Sequence, residues 1–271
     1  MAVIISPSMV AKTVVLPGNS RIDYFTELLE LTLSYSREKN YEVSFIEYDV
    51  PKLRAFKFIE ANEGIDLIAA GYTNERASRM RVIPLPILKG LNGWRIPLVT
   101  MKNANLFNEI KNETQFKRLR PGQMLNWSDT KVIESNNIEV VTGIKYYALF
   151  EMLAKDRFDY FPRSILEIES EYERHKDKGI VIEPNIIIHY PTAYVYYVNQ
   201  QNTELAQDLA FGLESAYKDG KFDVLFNKYY GHQIEWVRKQ KRKKFELNNP
   251  FLPTNTPLAR KELWLDLAIQ K

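Results

Sequence analysis

The sequence predicts an α/β protein folded in two lobes, and three observations carry that expectation. Short β-branched runs alternate with apolar stripes at helical spacing from residue 13 onward. A stretch broken by proline and glycine, Leu85 to Met101, interrupts the rhythm. A return strand at Ala193 to Val198 then leads into further amphipathic helices. Two crossovers, near residues 100 and 195, give a discontinuous first lobe (1–100 plus 195–271, with a tail over 245–271) and a second lobe over 101–194. Such a hinged design favours ligand binding between the lobes.

Each element follows from its residues. Thr13-Val14-Val15-Leu16 is a strand stopped by Pro17-Gly18. Ser20 with Asp23 three residues on resembles a capping box, and Ile22, Phe25, Leu29 and Leu33 mark the helix behind it. Tyr41, Val43 and Phe45 alternate with polar residues as a half-buried strand does. Pro51 suits the first turn of a helix with Leu53, Phe56 and Ile59 buried, and Ile65 to Ala70 is a third strand. This β-α-β-α-β order requires a parallel or mixed sheet flanked by helices.

Beyond the broken stretch, Leu106, Phe107 and Ile110 read as a short helix and Gln123 to Asn126 as a strand. Ser128-Asp129-Thr130 opens a helix, Val140-Val141 is a strand, and Tyr146, Leu149, Phe150 and Leu153 stripe another helix. Phe158 to Phe161 is a strand and Ser164 to Glu173 a helix, with a further strand at Ile186-Ile187-Ile188. Leu205, Leu209, Leu213 and Ala216 mark a long helix stopped at Gly220, and Phe222 to Tyr229 the next. Asn248 to Pro257 is an extended connector, and Leu263, Trp264 and Leu267 face a short helix expected to dock on lobe one.

Composition excludes several classes. The chain of 271 residues is 45% hydrophobic and 26% charged, an ordinary soluble profile. Its 37 basic and 34 acidic residues leave a net charge of +3, too little to argue for nucleic acid or an anionic membrane. With no cysteine there is no disulfide, zinc finger, iron–sulfur cluster or thiol nucleophile. His175, His189 and His232 are too scattered for metal-ligand spacing. No G-x-S-x-G elbow, G-K-[S/T] phosphate loop or H-E-x-x-H motif is present, so no catalytic set, cofactor or metal is expected. The start, MAVIISPSMVAK, lacks the basic and apolar regions of an intact export leader, and no apolar run is long enough to span a bilayer.

Three segments carry a resemblance. Gly64 to Gly71 with Tyr72-Thr73-Asn74-Glu75-Arg76 is similar to the strand, turn and T-x-E-R segment of the family 3 extracellular solute-binding proteins, and Val82 to Pro86 follows it. Leu149 to Tyr160 is similar to that family's L-x-x-G-R-x-D-A stretch, and Gly220 to Gly231 to its C-terminal G-x-Y-x-x-I-x-x-K-W-F-G. In order and at similar spacing, they make the chain resemble a divergent member of the polar amino-acid class, from Thr13 to Gly231. The resemblance implies the two-lobed type II periplasmic-binding fold, hinge closure on a ligand, and delivery to a membrane transporter (an ABC transporter) or a sensor protein. It also implies a monomer outside the cytoplasm whose leader has been removed, although the sequence leaves a cytosolic location open.

The resemblance assigns Arg76 to the ligand carboxylate, where a planar guanidinium can donate two parallel hydrogen bonds; a solvent-facing arginine beside Glu75 is the plain alternative. The position where the family carries an aspartate for the ligand's amino group holds Ser164, with Arg163 beside it. A cation there favours a ligand with more than one acidic group or an altered binding mode; equally, Arg163 points outward and pairs with Glu167 one turn on. The Asn126 to Thr130 turn offers Trp127 and Ser128, with Asp129 read as capping its own helix. Asn19, Tyr72 and Trp94 are cleft candidates by position, although capping and core packing explain them as readily. The expected function is capture of a small polar, anionic or amino-acid-like ligand, Arg76 and Arg163 closing on it from the two lobes. The rivals are an enzyme of elimination or hydrolysis on this fold and a ligand-sensing regulator. The basic run Arg238 to Lys244 reads as a solvated face rather than a nucleic-acid contact.

Overall fold

The computed structural model describes residues 11–36, 40–48 and 50–267, so the sequence's leader reading at residues 1–10 lies outside the described residues. In chain order the first elements are β1 (Lys12–Leu16), α1 (Tyr24–Leu33), β2 (Tyr41–Phe45), α2 (Lys52–Ala61), β3 (Leu67–Gly71), α3 (Asn74–Ala77) and β4 (Arg81–Ile83). Next come β5 (Trp94–Thr100), α4 (Glu113–Phe116), β6 (Gly122–Met124), α5 (Ser128–Ser135), β7 (Val141–Gly143), α6 (Tyr146–Ala154), β8 (Phe161–Ser164) and α7 (Ile168–His175). The rest are β9 (Ile180–Ile182), β10 (Ile186–His189), β11 (Tyr194–Val198), α8 (Thr203–Lys218), α9 (Lys221–Arg238) and β12 (Lys243–Glu246). They pack as two compact units, Met1–Leu85 with Val195–Tyr229 and Pro86–Tyr194 with Tyr230–Lys271.

In unit one β1 and β2 pair in parallel, and β11 lies between β3 and β4, antiparallel to β4. Asp66 ties β1 to the segment before β3: its carboxylate accepts from Val15 N at 2.8 Å while its own N–H donates to Val15 O at 2.9 Å. Helix α1 starts where Asp23 accepts from Thr26 N at 2.9 Å, so Asp23 is the cap and Ser20 lies outside the helix. Ile22 is therefore 87% exposed rather than part of the buried stripe, and on α2 Leu53 also faces solvent while Phe56 and Ile59 are buried. Helix α8, capped by Asn202 and followed by Gly220 at φ +81°, packs closely on α1. A Cβ at Gly212 would sit 2.0 Å from the Thr32 carbonyl oxygen. Gly212→Ala is expected to force the two helices apart and lower stability by about 1–3 kcal/mol. Urea unfolding followed by far-ultraviolet circular dichroism measures it, and an unchanged midpoint would refute the tight helix pair.

Unit two is built on β5, whose seven residues are all buried. It pairs antiparallel with β8, β9 and β10, and β10 pairs in parallel with β12. A separate parallel pair, β6 and β7, is joined to the chain ahead of β8 by a bridge between Pro121 and Tyr160. Each unit thus holds mixed strands flanked by helices.

Four expectations change here. The stretch containing β5 is the buried spine of unit two rather than the rim of lobe one. The tail belongs to unit two: Leu265 N donates to Lys89 O at 2.9 Å, and the Trp264 ring lies 2.9 Å from where a Cβ on Gly90 would be. Its Leu263 and Leu267 are buried, but only a 3-10 turn, Lys261–Leu263, forms. The basic run is not simply a solvated face, because Arg242 is 5% exposed and donates to the Glu183 and Ile186 carbonyls at 2.5 and 2.8 Å. Residues 106–109 form turns, and the short helix there is α4 instead, capped by Asn112.

Candidate functional site

In unit one the candidate residues sit beyond the carboxyl ends of strands, where open α/β sheets bind ligands. Thr73 caps α3 by accepting from Arg76 N at 3.3 Å, which places Arg76 three residues beyond the cap. The Arg76 Nη1 donates to Gly71 O at 2.7 Å, and its guanidinium lies 5.0 Å from the Phe56 ring centre. Among the described residues no carboxylate pairs with it, and it is half-buried rather than solvent-facing; the adjacent Glu75 lies 3.8 Å from Arg79. A half-buried guanidinium held at one nitrogen and on one face keeps its other donors for an incoming acceptor. Tyr72 is 4% exposed and belongs to the packed interior. Asn19 is exposed and its carbonyl accepts from Arg21 Nη1 at 3.3 Å, a turn contact rather than a helix cap. Beside it a groove of about 390 Å³ is lined by Ser20, Arg21, Thr26, Glu27 and Phe45, but Glu27 is already held by Lys228 and Tyr229.

In unit two the candidates assemble around two buried arginines. Arg163 on β8 is 3% exposed. Its Nε and Nη2 donate to the two Glu171 carboxylate oxygens at 2.6 and 2.7 Å, and Nη2 also reaches Glu167 at 2.9 Å. Trp127, Phe161 and Tyr146 surround the guanidinium at 4.8, 4.7 and 5.7 Å. Burial works against its charge, and the Glu171 hydrogen bonds with the nearby carboxylates outweigh that, leaving its pKa above the ordinary value. Burial and the hydrogen bond to Glu171 together raise the Tyr146 hydroxyl, which stays protonated as a donor. Arg163 is therefore not an outward-facing cation: its charge is matched within the unit, and Trp127 packs as part of that cage.

The second arginine went unnoticed in the sequence. Arg95 on β5 is 8% exposed, and its Nη2 donates to Asp129 Oδ1 at 2.6 Å. The Tyr190 hydroxyl donates to the same oxygen. Asp129 therefore does not cap α5, which begins without any side-chain cap bond. Burial is the largest influence on Arg95 and opposes its charge, but Asp129, Tyr190 and Glu167 together outweigh it and the net shift is upward; Tyr190 is raised chiefly by burial. Arg95 Nε is buried without an acceptor. Ser128, at the first position of α5, is exposed. Ser164 is buried opposite Arg95 in the β5–β8 register, and its Oγ accepts from Leu166 N at 3.3 Å. Trp94 is buried with its ring 4.0 Å from that of His189, a packing role. A signal for Arg95 does exist in the sequence: a charge inside the apolar Trp94 to Val99 run demands a buried partner.

No group of three or more metal-ligating side chains gathers among the described residues. His175 stacks on Phe150 with centroids 3.7 Å apart, and burial lowers its pKa. No helix among the described residues is long and apolar enough to cross a membrane.

No protein-family model matches the chain. No curated protein matches it in sequence. Solved structures do match in fold. A probable amino-acid ABC transporter extracellular-binding protein from Bacillus subtilis is similar with a TM-score of 0.62 at 15% identity, over 83% of this chain and 99% of that one. An ancestral arginine-binding protein bound to arginine gives 0.58 at 15% identity, over 80% and 98%. The arginine-, lysine-, histidine-binding protein ArtJ from Geobacillus stearothermophilus gives 0.56 at 14% identity, over 81% and 96%. The chain has the fold of these solute-binding proteins, as the resemblance of its sequence segments implied.

Proposed function

We propose that this chain is a solute-binding protein that takes up a small polar solute through the solute's carboxylate and carries out no chemistry on it. The observation that carries the reading is Arg76: a guanidinium at the carboxyl end of β3, stacked on Phe56, fixed by one bond to Gly71 O and without a carboxylate partner among the described residues. Its geometry suits a bidentate carboxylate. The named neighbours of this fold serve amino-acid transport or bind amino acids, which supports an amino-acid-like solute and delivery to a membrane transporter from outside the cytoplasm. The second cation that the sequence suggested for a doubly acidic ligand, Arg163, is matched by Glu171 and Glu167, so one carboxylate on the solute is the simpler expectation.

Calorimetric titration of the full chain with amino acids and small carboxylates tests this. Arg76→Ala is expected to weaken the best ligand by roughly tenfold or more, since a charge-assisted pair is lost, while Arg76→Lys retains part of the affinity. An unchanged affinity in Arg76→Ala would remove the anchor, and turnover of the ligand would replace the reading with an enzyme.

A further inference from the structure

We infer that Tyr197 is a positioning residue for Arg76, its hydroxyl fixing the turn that presents the guanidinium; this rests on the solute-binding reading above. Every group involved belongs to unit one. Tyr197 lies on β11 opposite Val82 of β4 and is fully buried. Its hydroxyl donates to Gly71 O at 3.1 Å and accepts from Thr73 N at 3.2 Å, so it spans the step from the end of β3 to the cap of α3. Both holds on Arg76 pass through this turn. Gly71 O accepts from Arg76 Nη1 at 2.7 Å, and Thr73 Oγ1 accepts from Arg76 N at 3.3 Å.

Local structure does not supply this order by itself. Helix α3 has four residues, about one turn, too short to hold its own shape. The Gly71 carbonyl, with its two lone pairs, serves both Tyr197 and Arg76, so the hydroxyl sets the direction in which that carbonyl meets the guanidinium. A bidentate pairing depends on direction as well as on charge. Phe56 covers one face of the guanidinium but does not fix its rotation within the plane. Burial raises the Tyr197 pKa against the opposing effects of the Thr73 N–H and the Arg76 charge, so the hydroxyl keeps the proton it donates. The return strand, 126 positions beyond Gly71, thus completes the anchor.

The test is calorimetric titration of the full chain with the twenty amino acids, continued with the one that binds most tightly. Tyr197→Phe keeps the ring in the core and deletes the hydroxyl, and it is expected to weaken that amino acid roughly three- to tenfold, the effect of one hydrogen bond. In an Arg76→Lys background the same change is expected to alter affinity by less than about twofold, because a flexible ammonium has no fork to orient. A Tyr197→Phe chain that binds as tightly as the wild type would overturn the inference. So would an equal loss in both backgrounds, which marks a structural role only. Hydrogen exchange on the wild-type chain needs no variant to fold: the Thr73 amide is expected to exchange at least about tenfold more slowly than that of exposed Asn74, and equal rates would overturn the inference. A weakened Arg76→Ala beside an unaltered Tyr197→Phe leaves the proposed function standing. An unchanged Arg76→Ala, or no binding by any amino acid, overturns both.

Discussion

Glu171→Ala is expected to destabilise unit two by about 3–5 kcal/mol, because it leaves the buried Arg163 charge without its bidentate partner. The pair is 3% exposed on both sides, so water cannot replace the lost carboxylate. Glu167 is half exposed and meets only Nη2, so it offsets little of the loss. Tyr146 loses its acceptor in the same step. Denaturant unfolding read by tryptophan emission isolates the effect, since all four tryptophans, at 94, 127, 236 and 264, belong to unit two. The double variant Arg163→Met with Glu171→Leu is expected to recover most of the stability, as buried pairs replaced by apolar residues commonly do. A loss under 1 kcal/mol in Glu171→Ala would show that the arginine reaches solvent.

Phe116→Ala is the second large effect, at about 3–5 kcal/mol. Phe116 is fully buried on the four-residue helix α4 and stacks on Phe245 of β12, ring centres 4.3 Å apart and nearly parallel at 11°. Phe107 and Tyr160 close the cluster at 6.3 and 6.1 Å. The cavity left behind cannot collapse easily, because strands hold two of its walls. The same variant is expected to speed hydrogen exchange at the β12 amides, since Phe245 is that strand's one buried side chain. Unaltered exchange there, with lowered overall stability, would show that β12 is held by its backbone pairing with β10 alone.

The fold was legible in the sequence where periodicity is strong, and lost where local signals compete. The stripe of Leu205, Leu209 and Leu213 and the alternation in Tyr41 to Phe45 identify their elements because each pattern suits one period. Ile22 misled because Asp23, not Ser20, satisfies the first free N–H groups of α1. The first crossover falls after Leu85 rather than near residue 100, because Leu85 to Met101 looks like a connector when read for proline and glycine, whereas the division near 195 lies where the sequence put it. Pro97 nevertheless lies within β5, paired with Pro162 across the β5–β8 ladder. In unit one, the place of Arg76 just beyond β3 was legible from its segment. The partners of Arg163, Arg95 and Asp129 were not all so, because the Arg95 to Asp129 ion pair and the Tyr190 to Asp129 hydrogen bond join residues 34 and 61 positions apart. Spacing along the chain carries no information at that range.

The division of the chain has a kinetic consequence. Each unit is made of two stretches separated by more than a hundred residues for the first and by 35 for the second, Val195–Tyr229. In unit one β11 must enter between β3 and β4, and in unit two β12 must reach β10 across α8 and α9. Loop closure over such distances precedes the contacts that stabilise it, so both units are expected to fold slowly for their size. A chain that emerges in order holds neither unit complete until residues beyond 194 are made, and this leaves a long interval in which the nascent polypeptide remains open to chaperones.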